Sequence, residues 1–579
     1  MTNQSSAKDI ADAVAARLSG NDLLELTAAI SREVRLSGSA EEARSFETIK
    51  AMLDAAGLRT RLMHHEGYVS LPLKARIVVG SEELPAITHS LSAATPPAGI
   101  QARPADIGWN APGPDAAEAV LICDGIAMHG LVSRNERAGA AAQIFICGEL
   151  THEMCVSAVW GSPAPEDFAK LPRTPVVSVT QEVGERLRSL IAKGAKTITV
   201  HAEVDTGWRR LPLLIADLCP PGIDGLDQSS APYILFSGHL DSWHLGAMDN
   251  GSANAVMVGV ARELAKHRPA MRRSLRLAFW SGHSHGRYAG SAWYADEFHH
   301  DLSTRCIAHV NIDSVGGQGA TVLTDAVAMP STLDCGARAI ATESGQTFVG
   351  SRVVRAGDQS FVQLGVPSLF MALSEQPPSD TLTSRAFGGL VAGSRTGGLG
   401  WWWHTVADTL DKLDAELLER DGRIYGRTLA DLTCAAVAPL RPDRQAEAFV
   451  TELRALAELC TPWFDLSGTI TLAEAASRAL TALEADRRRK PDESDDELRK
   501  TSDAMRPLIE LAYAGSGVYA HDAAIPLPAI PQLALARDLG KLDEAQRASA
   551  LVTLRRRRNY IDDRLRAVVR SAAATRKTA

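Results

Sequence analysis

Four side chains able to hold a divalent cation are spread along the middle of this 579-residue sequence: His239, Asp249, Asp313 and His404. His239 follows the apolar run Tyr233 to Ser237, and ten residues later Asp249 opens an Ala/Val-rich segment of helical spacing. Asp313 closes the apolar stretch of HVNIDSVGG, and His404 precedes the helical pattern of WWWHTVADTLDKLD, which places Asp408 in the first turn. Two imidazoles and two carboxylates suit Zn²⁺ or a neighbour such as Mn²⁺, Co²⁺ or Fe²⁺. Asp249 has one oxygen for each of two ions, and two ions about 3.5–4 Å apart can polarise a carbonyl and activate water at neutral pH. Asp241 lies on the same side of an extended chain as His239, where it can partner that imidazole. Any one of these residues alone reads as a cap, a turn or an ion-pair partner. Four of them at successive element ends argue for a metal centre.

The elements around these residues alternate. Apolar runs predict strands at 232–238, 274–281, 305–313, 320–324 and 366–373, and helical spacing predicts helices at about 251–266, 287–298, 331–344, 357–364 and 406–437. This is the pattern of a doubly wound α/β sheet, in which ligands gather outside the carboxyl ends of the strands. Half of the 16 histidines fall between 239 and 309, including the His283-Ser284-His285 triplet that follows the run Leu275 to Trp280. Four divisions follow. Residues 1–85 start the catalytic domain with a helix stopped by Gly57 and strand-like text from 68. Residues 86–212, short apolar runs such as AVLICDG and AAQIFICG between Gly and Pro, form a compact α/β insert. Three of its histidines, His129, His152 and His201, are scattered and read as structural. Residues 213–438 complete the catalytic domain. Residues 439–579, rich in Ala, Leu, Arg and Glu, predict about four amphipathic helices and a Pro-rich crossing at AAIPLPAIPQL, with apolar stripes that suit packing on the catalytic domain, on a second subunit of a homodimer, or on both.

Composition narrows the class. With 45% hydrophobic and 22% charged residues, a net charge of −8 and a pI near 6.1, the chain has no global attraction for nucleic acid or an anionic membrane. The basic clusters Arg487 to Lys490 and Arg555 to Arg558 are each followed by acidic residues and read as solvated helix faces. Eight cysteines without a CxxC pair indicate neither a zinc ribbon nor a disulfide framework. The amino-terminal text MTNQSSAKDIADAVAARLSG has no apolar signal core, and no run approaches the ~20 apolar residues of a membrane span. A reduced, cytoplasmic setting is the expectation.

The motifs resemble the co-catalytic zinc aminopeptidase family, the group that also includes glutamate carboxypeptidase and the transferrin receptor. GHLDSW with DNGS, NIDSVGG, GDQSFVQLGVPSLF and HTVADTLDKLD match its core motifs in order, and SREVRLSGSAEE its entry helix. The likeness spans about residues 25 to 435, with 86–212 similar to the family's protease-associated insert. The helices after 440 fall where the carboxypeptidase branch carries a dimerisation region. The resemblance implies that His239, Asp249, Asp313 and His404 are metal ligands, that Asp249 bridges and that Asp241 orients His239. One departure is large. Where the family has Glu-Glu, a general base and then a ligand, WSGHSHGRYAGS puts His283 at the base position and Ser284 at the ligand position. A histidine can serve as general acid or base near neutrality. Ser284 is a poor ligand, so His285 or His283 itself is expected to turn to the metal. His244, between two ligands, and Arg287, Tyr288 and Trp403 are expected to frame a pocket for an aromatic or carboxylate-bearing substrate. The expected activity is hydrolysis of an amide or other C–N bond in a small molecule or short peptide-like substrate, using metal-activated water and one or two ions. The alternatives are a non-catalytic receptor-like protein and a conventional aminopeptidase whose base comes from elsewhere, such as Glu375.

Overall fold

The computed structural model describes residues 6–388 and 396–578, so the first five residues of the amino-terminal text lie outside it. Eleven strands form one mixed sheet: β1 (Arg59–Val79), β2 (Glu82–Thr88), β3 (Ile100–Gly108), β4 (Ala119–Asp124), β5 (Ala142–Ile146), β6 (Val176–Val179), β7 (Ile198–Leu218), β8 (Tyr233–His239), β9 (Ser274–Trp280), β10 (Cys306–Asn311) and β11 (Ser368–Leu369). Their order is β1-β2-β6-β5-β4-β3-β7-β9-β8-β10-β11, with β1 also paired to β7. Strands β1 and β7, each 21 residues long, run antiparallel from Arg59↔Asp217 to Val78↔Thr199. They carry the chain from the catalytic sheet into the insert and back. The expected insert boundaries, 86 and 212, therefore fall inside β2 and β7, because the linking strands are continuous rather than broken by loops.

Strands β9, β8, β10 and β11 are mutually parallel. Every residue of β8, β9 and β10 is buried, which is why they read as near-continuous apolar runs, interrupted by Arg276 and His309, rather than alternating ones. The helix Ala253–Ala265 packs on this sheet with the helices Gly20–Ile30 and Ala415–Cys434. Gly259 admits the close approach, since a Cβ there would lie 2.9 Å from Leu23 Cδ2. Ser6, Ser19 and Ser39 cap the three amino-terminal helices, Ala7–Ala15, Gly20–Ile30 and Ala40–Ala55. The segment between the last two brings Arg35 and Ser37 under the ends of the parallel strands.

The carboxyl-terminal module is helical as expected, with helices Pro442–Cys460, Ser467–Arg488, Asp495–Tyr513 and Glu544–Thr578. Its core is continuous with the catalytic domain: Phe449, Leu453 and Leu508 belong to the same buried cluster as Met329, Val353 and Val362. Among the described residues, no helix is long and apolar enough to cross a membrane.

Three predicted elements differ. Only Val322 of 320–324 pairs, in a single bridge to Glu375; Gly319 turns the chain just before it at φ +72°. The helix predicted at 357–364 shrinks to one 3-10 turn, Val362–Leu364, because Gly357 and Asp358 both have positive φ, 51° and 37°. The helix predicted from 406 starts at Ala415, where the Asp414 side chain accepts the N–H groups of Glu416 and Leu417. The text before it is turn, and His404, at φ +61°, is held within that turn.

Candidate metal centre

The carboxyl ends of β8 and β10 are fastened together by one side chain. Asn250 donates from Nδ2 to the carbonyls of His239 (3.2 Å) and Ile312 (3.3 Å), and its Oδ1 accepts the Ser314 N–H at 3.0 Å. Both candidate imidazoles are anchored through Nδ1 on a peptide carbonyl: His239 on Asp241 O at 2.9 Å, His404 on Glu153 O at 2.7 Å. A carbonyl only accepts, so each ring carries its proton on Nδ1 and presents the Nε2 lone pair. His239 Nε2 lies 3.1 Å from Asp249 Oδ1 and 3.6 Å from Asp313 Oδ2, and His404 Nε2 lies 3.0 Å from Asp249 Oδ2. Asp249 thus spans the two rings, one oxygen to each. The backbone N–H groups of Met248 and Asp249 bind Asp408 Oδ1 and Oδ2 at 2.8 and 3.0 Å. Asp408, expected in a helix, instead holds the loop that carries Asp249, and burial pushes its carboxyl up to about 7.

The electrostatics call for a cation. Burial alone would push the His239 imidazole down, but Asp313, Asp241 and Asp249 outweigh it and carry His239 well above its ordinary value. Burial likewise raises Asp249, and the two imidazoles overcome it and hold that carboxyl below the usual range. His239 Nε2 is buried and makes no hydrogen bond despite its near carboxylates. An orphaned lone pair facing two carboxylates is the donor set of a divalent cation such as Zn²⁺, so the residues fit a metal. One donor each from His239, Asp313 and His283 lies within 4.8 Å of the others; Asp249 joins through His239, and His404 through Asp249.

Residues 223–428 match the family model described as Peptidase family M28. That segment is an M28 peptidase domain. Among curated relatives, carboxypeptidase Q of Xenopus laevis is 27% identical over 226 residues, 35% of this chain and 43% of that protein. A probable glutamate carboxypeptidase of Zea mays is 32% identical over 93 residues, 15% of this chain and 13% of that protein. The matched text thus spans less than half the length of either relative. The solved aminopeptidase from Aneurinibacillus sp. strain AM-1 shares the fold at 21% identity and a TM-score of 0.52, over 73% of this chain and 96% of that one. An M28 peptidase precursor from Shewanella amazonensis does so at 18% and 0.55, over 75% and 97%.

The M28 domain places the HSH triplet in three different settings. The His283 ring lies flat on that of His239, with centroids 3.7 Å apart and planes 14° from parallel. The two rings are therefore stacked face on face, with one donor nitrogen of each in the same cluster as Asp313. Ser284 borders the cavity described below, and its N–H donates to Asp241 Oδ2 at 2.9 Å. His285, expected as a ligand, is not among the clustered donors. It is fully buried, with Nδ1 2.8 Å from Ser37 Oγ and its ring against Trp243 at 4.4 Å. Asp241 differs from expectation in a smaller way. Its backbone carbonyl holds His239, while the carboxylate, 3.5 Å from that ring, takes the N–H groups of His283 and Ser284 and the Ser37 hydroxyl. Asp241 thus ties the triplet to the end of β8.

A cavity of about 200 Å³ opens on the cluster. The insert contributes Met128 and Met154, the M28 domain Trp243 and Met371, and the carboxyl-terminal module Ala524 and Pro526. Tyr288 and Trp403 border it; Tyr288 meets His283 edge-on at 4.8 Å, and Trp403 stacks on His404 at 3.5 Å. Arg287 also borders it, but its guanidinium is engaged by the carbonyls of Ser157 and Cys155, so it fixes the wall. His244 does not reach this cavity. It sits in a narrow crevice behind Asp249 with Thr405 and Asp408, and burial lowers it to about 4. Sequence reasoning missed Arg35, Glu153 and Asp358. The first and last stand inside the quoted motifs SREVRLSGSAEE and GDQSFVQLGVPSLF, but nothing local marks Glu153.

Proposed function

We propose that the M28 domain is a metal-dependent hydrolase cleaving an amide or other C–N bond of a small, largely apolar molecule. The observation that carries this reading is the convergence of His239 Nε2, Asp249, Asp313 and His404 at the mouth of a cavity walled by Met, Trp and Tyr side chains. A divalent cation there, most simply zinc, supplies a Lewis acid that polarises the carbonyl and lowers the pKa of water. The protein supplies the rest. Glu153 and Asp241 carbonyls keep both imidazoles turned outward, and Asp249 holds the two halves in register. The apolar walls exclude bulk water and select a compact substrate. His283 takes a proton as the carbonyl is attacked and returns it to the departing nitrogen, the work done elsewhere in the family by a glutamate. Because Ser284 stands where that family has a second carboxylate, the His404 side has fewer anionic donors, and an ion there is held more weakly than one beside Asp313. For the whole chain, a homodimer through the carboxyl-terminal helices, which expose Leu459 and Val552, with Trp463 in the turn that follows Cys460, and a reducing, cytoplasmic setting, consistent with eight unpaired buried cysteines, complete the reading.

The test is a panel of N-acyl and aminoacyl aryl amides offered to zinc-loaded protein. Release of the aryl amine that stops with a chelator and is lost in Asp249→Asn supports the reading. Protein that binds zinc stoichiometrically yet turns over no amide replaces it with a binding protein on the same fold.

A further inference from the structure

Asp358 is buried beside the cavity in a left-handed turn, and both its oxygens are engaged. Oδ2 lies 2.8 Å from His283 Nδ1, and Oδ1 accepts the Ser291 hydroxyl at 2.6 Å. The line continues outward: Ser291 Oγ is 2.9 Å from Ser360 Oγ, which accepts the indole N–H of Trp160 at 2.8 Å, a residue of the insert. We infer that Asp358 is a positioning residue that fixes His283 as its Nδ1–H tautomer, so that the Nε2 lone pair is the free one. An ionised carboxylate has lone pairs and no proton to give, so the hydrogen in that contact belongs to the imidazole. The ring cannot turn away. One face is covered by His239, and the Tyr288 edge blocks rotation. An imidazole without such a partner favours its Nε2–H form, which would present a donor to the cavity where a base must present an acceptor. Elsewhere an aspartate fixes a catalytic histidine in the same sense, and asparagine in its place costs about 10⁴ in kcat through the wrong tautomer.

The assignment gives Asp358 catalytic meaning only if the hydrolase reading holds; the tautomer itself does not depend on it. The experiment separates the two. Zinc-loaded protein with ¹⁵N-labelled histidine is studied by long-range ¹⁵N–¹H NMR, with the His283 signals identified by their absence in His283→Gln. The expected result is an Nδ1–H ring in the native protein and a shift toward Nε2–H in Asp358→Asn and Asp358→Gly. Asparagine tolerates a left-handed conformation and glycine adopts it freely, so at least one variant keeps the turn. With an aryl amide substrate, kcat falls about 10²–10⁴-fold in both variants, the range of general-base catalysis, while KM stays within about threefold and zinc content is unchanged. In a His283→Gln background the same substitutions cost less than about threefold. An Nε2–H ring in the native protein, an unchanged tautomer in both variants, or an equal loss of kcat without His283 overturns the proposal. An Nδ1–H ring that shifts as expected in protein that cleaves no amide upholds Asp358 and overturns only the hydrolase.

Discussion

Replacing Arg35 by Met tests how the loop between His239 and Asp249 is held. Arg35 is fully buried and donates from Nε to Leu240 O (2.8 Å), from Nη1 to Glu33 O (3.2 Å) and Leu245 O (2.8 Å), and from Nη2 to Gly246 O (3.0 Å). Three of these carbonyls belong to residues 240–246, the link from His239 to Asp249. Each charged hydrogen bond is worth about 1.5–3 kcal/mol. The sum is not realised, because burying the guanidinium has its own cost, visible in a group lowered to about 10 by burial against the pull of Asp408 and Asp241. Removing one partner of a buried charged network costs about 3–5 kcal/mol, and that is the expected loss of stability in Arg35→Met. Freed carbonyls in this loop also slacken Asp249, so zinc affinity falls about 10–100-fold, as when groups that orient metal ligands are removed. Competition against a chromophoric chelator reads the affinity and urea unfolding reads the stability. Arg35→Lys recovers part of both, since one ammonium cannot span the same carbonyls. Zinc affinity within about twofold of native in the Arg35→Met variant, together with an unmoved unfolding midpoint, would refute the assignment of Arg35 as the loop's anchor.

Three further outcomes are expected. Glu153 is pushed up to about 8 by burial from 4.5, so between those values the folded chain holds a proton the unfolded chain has lost, and stability falls as pH rises through that window. Glu153→Gln should match the native unfolding midpoint at pH 4.5 and exceed it at pH 8. Zinc at a hundredfold excess over its Kd should stabilise the native protein by about 2.7 kcal/mol, and thermal unfolding of Asp249→Asn should not respond to it. In Gly238→Ala the new Cβ would lie 2.8 Å from Ile312 O and 3.3 Å from Asn250 Nδ2, parting β8 from β10 at a cost of about 1–3 kcal/mol and weakening zinc binding, both read by the same unfolding and chelator assays.

The buried parallel strands were legible because a strand covered on both faces is apolar along most of its length. His239 and Asp313 therefore stood out as the polar residues that end such runs. The helix predicted from 406 failed for a reason outside its own text: Asp408 is claimed by the N–H groups of Met248 and Asp249, about 160 positions earlier in the chain. His283 and His285 were indistinguishable in sequence, since a turn decides which imidazole meets His239 and which meets Ser37. Asp358 was hidden inside a segment whose apolar spacing looked helical, and only its positive φ turns the carboxylate onto His283. The β1–β7 ribbon concealed the insert's edges, because the two strands run on through Gly67, Pro72, Gly207 and Pro212 and put no loop at the joint.

At His404 the insert holds the M28 domain through the peptide groups of Glu153: Glu153 N–H to His404 O at 2.8 Å, and Glu153 O to the His404 ring at Nδ1 at 2.7 Å. Such a clasp does not depend on which side chain occupies 153. Evolutionary drift at that position is cheap, whereas a change in the length or tilt of the ribbon that carries the insert would pull the His404 imidazole away from Asp249. The insert's orientation, rather than its composition, is what the centre reads.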